Sequence, residues 1–168
     1  MTLSPILTAG PEVQLHIAAA IVSIVLGPFA LYLRRGTRLH RSVGYSWVVA
    51  MMVLALSSFA IHGFGLIGPF SPLHGLALLT LWSLWQGVRY ARAGAVAVHQ
   101  RVFRNLYWGG VMGAGLFSFL PGRALNRAVL TDMPLTGYLI IGLGLGVVAV
   151  ALVPRMTRRL ARKTQAHG

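Results

Sequence analysis

Residues 13–41 read VQLHIAAAIVSIVLGPFALYLRRGTRLHR. From Val13 to Leu33 the run carries no charge, and Arg34, Arg35, Arg38 and Arg41 follow it closely. A helix crosses the hydrocarbon core of a bilayer with roughly 20 apolar residues, so this stretch predicts a membrane span that stops at a basic boundary. Four further apolar stretches follow at Val43–Gly65, Pro72–Val88, Leu106–Leu120 and Tyr138–Val153, the third and fourth spans being short. The expected fold class is an all-α integral membrane bundle of five transmembrane helices.

Charge fixes the expected orientation. Arg89, Arg92, Arg101 and Arg104 fill the third connection, and Arg155, Arg158, Arg159, Arg162 and Lys163 crowd the tail. The second connection, Leu66 to Ser71, carries no charge, and the fourth carries Arg123, Arg127 and Asp132. Thirteen of the fifteen basic residues thus share one side, while Glu12 and Asp132 lie on the other. The positive-inside rule then places the N-terminus outside and the C-terminus in the cytoplasm of a bacterial inner membrane. Residues 1–154 form the expected five-helix transmembrane domain, and 155–168 a basic cytoplasmic tail that rests on anionic lipid.

Composition agrees. The 168 residues are 56% hydrophobic and 10% charged, against roughly 25% charged in a soluble domain, and the mean hydropathy is +0.71. The net charge of +13 follows topology rather than a soluble patch, so no nucleic-acid partner is expected. The absence of cysteine removes disulfides, thiolate metal sites and cysteine nucleophiles. With Glu12 and Asp132 the only carboxylates, both outside the spans, paired acid–base hydrolysis has no residues to run it. No basic region precedes the first apolar stretch, so it is expected to stay as a span and not to be cleaved as a signal peptide.

Within the spans, Gly27-Pro28 predicts a kink in the first helix. Gly109 with Gly113, and Gly142 with Gly146, have the spacing that lets helix backbones approach, and are expected to pack the fourth and fifth helices together.

The histidines carry the functional expectation, because ionisable side chains at membrane depth usually mark function. His16, His62 and His74 fall toward the outer face, and His40 and His99 toward the inner one. His167 belongs to the polar tail. The first and third helices each offer an outer imidazole, and the second and fourth an inner one. Haem iron accepts two axial imidazoles from facing helices. His16 with His74 would hold an outer b-type haem and His40 with His99 an inner one, carrying electrons across the bilayer to or from a quinone or another redox partner. Arg38, Arg41 and Arg104 inside, and Arg123 outside, suit haem propionates. Tyr45, Trp82, Trp85 and Tyr107 either wall a porphyrin or belong to the interfacial belt and helix packing. At Arg123 the competing role is a cation at a helix C-terminus.

Two other classes fit the same residues. His16, His62 and His74 make a three-imidazole set for zinc or copper, and all five membrane histidines are metal-ligand candidates. Alternatively the chain is a non-catalytic subunit or assembly factor whose histidines bond helices together.

Several short pieces carry a resemblance. They are Leu15-His16-Ile17, Gly27-Pro28, Leu39-His40-Arg41 followed by Gly44, Phe70-Ser71-Pro72-Leu73-His74, His99 with Arg101, and Phe117 through Pro121-Gly122-Arg123. With these the chain resembles an uncharacterised bacterial family of small membrane proteins classed as a domain of unknown function. The likeness spans most of the chain except its last helix and tail, and it implies no activity. In layout alone the chain is also similar to the di-haem transmembrane cytochromes b reduced by ascorbate, in which alternate helices of a four-helix core supply one haem pair to each side.

Overall fold

The computed structural model describes residues 4–61, 72–130, 133 and 135–152, and every regular element among them is helical. They are α1 (Ser4–Leu7), α2 (Pro11–Tyr32), α3 (Arg38–Ser58), α4 (Pro72–Arg92), α5 (Val96–Asn105), α6 (Gly113–Phe117), α7 (Ala124–Val129) and α8 (Thr136–Leu152). A π-helical segment, Leu106–Met112, joins α5 to α6. By length and composition α2 and α3 can each cross a membrane, and α8 is a shorter apolar helix. The helix expected to open at Leu106 begins ten residues earlier, so His99 lies on α5 and not in a connection.

Local chemistry sets the helix ends. Pro11 occupies the first turn of α2, where its missing amide costs nothing, and Glu12 beside it complements the helix dipole. Gly36, at φ 78°, turns the chain after α2. The Thr37 hydroxyl then accepts from the His40 amide at 3.1 Å and caps α3. With only four residues between α3 and the capped end of α2, the two helices are antiparallel neighbours.

The bundle closes as a ring: α2 packs on α3, α3 on α4, α4 on α5, and the π segment returns to α2. Trp47, Met51, Leu84, Phe103, Leu106, Tyr107 and Val111 form the buried core. Outside this ring α8 packs on α6 and the π segment, and α1 packs on α7. The exterior is apolar: Leu143 and Val150 on α8 are 76% and 71% exposed, which suits lipid and would be a broad unstable patch in water.

Helix α2 runs unbroken through Pro28. The proline has no amide for the Ile24 carbonyl, and the Tyr107 hydroxyl donates to that oxygen at 3.2 Å. One residue earlier, Trp47 Nε1 donates to the Ser23 carbonyl at 3.0 Å. Gly27 admits this packing, since a Cβ there would overlap the Tyr107 ring. The Gly27-Pro28 pair therefore opens α2 to two aromatic donors from α3 and the π segment.

The small-residue expectation is corrected. A Cβ at Gly109, Gly113, Gly142 or Gly146 would meet nothing within 4 Å. The close approaches lie instead at Gly144, against the Leu116 side chain, and at Gly137, against the Phe119 carbonyl and Asn126. The fifth helix does pack on the fourth, through a different face.

Candidate functional site

At the basic end of the bundle α2, α3, α4 and α5 border an open cavity of about 370 Å³ lined by both His40 and His99. The structure thus brings the expected inner pair to one site. His40 sits in the first turn of α3, ahead of the apolar stretch that begins at Val43, and the Thr37 cap fixes that turn. Its Nδ1 is buried without a hydrogen-bond partner among the described residues. Burial, then the charges of His99 and Arg35, hold His40 below the usual histidine range.

A backbone carbonyl orients His99. Its Nδ1 lies 2.9 Å from the Gly87 oxygen. A carbonyl only accepts, so Nδ1 carries a proton and donates it. Metal-bound histidines characteristically donate their second nitrogen in this way. The Phe103 ring holds the imidazole edge-on at a centroid distance of 4.7 Å and meets Trp47 at 5.3 Å. A side chain at Gly87 would overlap Phe103, so the glycine lets α5 come close enough for the carbonyl contact.

The remaining wall combines guanidiniums with apolar surface. Arg41, Arg104 and Tyr45, all sequence candidates, line the cavity, as do Arg35, Arg92 and Gln100, which the sequence did not single out. Gln100 Nε2 is buried without a partner among the described residues. The only hints to these residues are the Gly36 turn beside Arg35 and the position of Gln100 next to His99. Arg38 does not line the cavity.

The other aromatic candidates have different work. Trp82 and Trp85 stack on each other at 4.9 Å and are 56% and 52% exposed, with Arg89 at 5.3 Å over Trp85. They form an outward-facing aromatic pair, not a porphyrin wall. Tyr107 is buried in the core, engaged with Gly27 and Ile24.

At the opposite end His16 and His74 both approach the end of α3, through different residues. His16 Nδ1 lies 3.0 Å from Ser57 Oγ, whose hydroxyl donates to the Leu54 carbonyl at 3.1 Å, so the imidazole N–H donates to the serine. The buried His74 ring sits 5.4 Å from the Phe59 ring. His62 lies outside the described residues. Among those described, no three His, Asp or Glu side chains converge as a metal-binding group.

Arg123 is also corrected. The Arg123 amide bonds the Leu120 carbonyl at 3.1 Å around Pro121 and a Gly122 at φ 87°, which is a type II turn. Arg123 then occupies the N-cap position of α7, without a side-chain capping bond. A cation there does not complement the helix dipole, so the C-terminal role does not apply.

A family model described as "Predicted membrane protein (DUF2306)" matches residues 13–157. The chain belongs to this membrane protein family. No curated protein and no solved structure matches it. As a member of the family it resides in a lipid bilayer, which accounts for the apolar exterior of α2 and α8.

Proposed function

We propose that this chain is a redox protein of the bacterial inner membrane that binds b-type haem between His40 and His99. The observation that carries the reading is the inner cavity, where two imidazoles share an apolar, arginine-rich chamber and one of them is already oriented by a carbonyl. The donor set suits the group. His99 turns Nδ1 to a carbonyl and leaves Nε2 for a ligand bond, His40 carries a buried Nδ1 with no hydrogen-bond partner among the described residues, and Trp47 and Phe103 provide flat apolar surface. Bound there, haem supplies one-electron chemistry at a potential tuned by its ligands and their surroundings. The Gly87 carbonyl fixes the orientation of the His99 ring. The core around Trp47 and Met51 keeps water from the interior face of the site.

In the fuller form of this reading the chain crosses the bilayer five times, N-terminus outside and C-terminus in the cytoplasm. His16 and His74 serve a second, outer haem, and electrons pass to or from a quinone. The test is the absorption spectrum of the purified full-length protein, supplied with haemin, before and after reduction. A bis-imidazole signal that disappears in both His40→Ala and His99→Ala is expected. A parent protein that stays colourless overturns the proposal.

A further inference from the structure

The inner cavity contains an imbalance that the histidines do not explain. Arg35, Arg41, Arg92 and Arg104 line it, and among the described residues no carboxylate does. Of the chain's two acids, Glu12 sits in the first turn of α2, whereas Ala30 and Leu31, near the other end of that helix, line the cavity. Eighteen residues of helix separate Glu12 from Ala30, roughly 27 Å. Asp132 lies beyond α7 in sequence, in the connection to α8.

Charge at a membrane boundary has an ordinary use as a topology signal and lipid anchor. Arg34, Arg38, Arg89 and Arg101 meet that need without lining the cavity. The lining arginines are placed differently. Arg35 rides on a locked turn in which the Thr37 hydroxyl donates to the Arg34 carbonyl at 2.9 Å and accepts the His40 amide at 3.1 Å. Arg92 ends α4 just before the positive-φ Gly94. Arg41 comes from the first turn of α3. Three elements thus bring exposed arginines to the rim of one cavity whose other walls are largely apolar. Guanidiniums pair with carboxylates through a planar two-point fork, and Gln100 Nε2 adds a donor in want of an acceptor oxygen.

We infer that the inner cavity selects an apolar molecule carrying two carboxylates, and that Arg35, Arg41 and Arg92 are its specificity-determining residues. The inference rests on the haem reading for the identity of the occupant, but it concerns the acid groups and not the iron. It is therefore tested with a porphyrin that has no metal. Full-length protein in phosphatidylcholine nanodiscs is titrated with protoporphyrin IX and with its dimethyl ester, and tryptophan quenching is read against empty discs. The diacid is expected to bind about tenfold or more tightly than the ester, as the loss of one charge-assisted contact implies. The Arg35→Gln/Arg92→Gln protein is expected to lose that preference. Arg38→Gln, which removes a charge from the same side without touching the cavity, is expected to keep it.

Equal affinity for acid and ester in the parent protein overturns the inference without any variant having to fold. An equal loss of preference in Arg38→Gln overturns it as well, since net charge alone would then account for binding. Failure of the haem reading appears separately, as the absence of a bis-imidazole spectrum with haemin.

Discussion

Replacing Tyr107 with phenylalanine isolates the contact that the Gly27-Pro28 pair creates. Pro28 leaves the Ile24 carbonyl without its helical donor, and the Tyr107 hydroxyl occupies that oxygen at 3.2 Å. Tyr107 is only 3% exposed, so water does not replace the hydroxyl once it is gone. An unsatisfied buried acceptor costs about 1–3 kcal/mol in soluble proteins, while interhelical hydrogen bonds in bilayers average roughly 0.6 and reach about 1.7 kcal/mol. Tyr107→Phe should therefore lower stability by about 1 kcal/mol. Pro28→Ala returns an amide to the position from which a helix serves Ile24. In that background the same Tyr107→Phe change should cost only a few tenths of a kcal/mol, giving a coupling of about 0.5–1 kcal/mol. Reversible unfolding in mixed micelles, followed by far-UV circular dichroism on the four proteins, reads this directly. Equal costs of Tyr107→Phe in both backgrounds would refute this account of the proline.

Three further outcomes are expected. Gly122→Ala puts a Cβ on a residue at φ 87° and should cost about 1–2 kcal/mol, visible as a lowered unfolding midpoint; a neutral result would remove the left-handed turn from the description of Pro121-Gly122-Arg123. His40 is held below the usual histidine range first by burial and then by His99 and Arg35. The unfolded chain therefore takes up that proton first, and stability should fall as the pH drops through the ordinary histidine range, levelling off below the lowered value. Arg35→Gln should flatten that slope, and an unchanged slope argues against the field of Arg35. For topology, a reporter active only in the cytoplasm should work when fused after Gly168 and be silent within Leu66–Ser71; the reverse pattern inverts inner and outer.

What the sequence disclosed is largely one-dimensional. Apolar runs bounded by arginine located α2, α3 and α4, and the same boundaries set the depth of His40 and His99 closely enough to pair them. Pro121-Gly122 was legible as a turn, because it acts through its own backbone. Azimuth was not legible. Gly142 and Gly146 have the spacing of a packing motif, yet Gly144 is the residue in contact with Leu116, and two positions along a helix are roughly 200° around it. A helix as uniformly apolar as α8 gives no sign of which face meets protein and which meets lipid. The same ambiguity hid Arg92, which lines the cavity while Arg38 does not, although both share the basic boundary. It also hid the Gly87 carbonyl, which reaches His99 across the turn between α4 and α5.

For the outer histidines depth alone is insufficient. His16 and His74 both approach the end of α3, but the contacts that each makes, Ser57 for one and Phe59 for the other, depend on how α2 and α4 are rotated about α3. A serine hydroxyl that accepts from Nδ1 orients an imidazole much as the Gly87 carbonyl does. The two ends of the bundle therefore share one element of histidine chemistry, an imidazole oriented through Nδ1 by a neighbouring helix. They differ in charge, for the arginine-lined cavity is at the inner end. If cofactor binding depends on the imidazoles alone, both ends should respond alike to added haem. If it also needs acid-group recognition, the inner end should fill first, and His99→Ala should remove the first spectroscopic signal to appear in a titration, while His16→Ala leaves it in place.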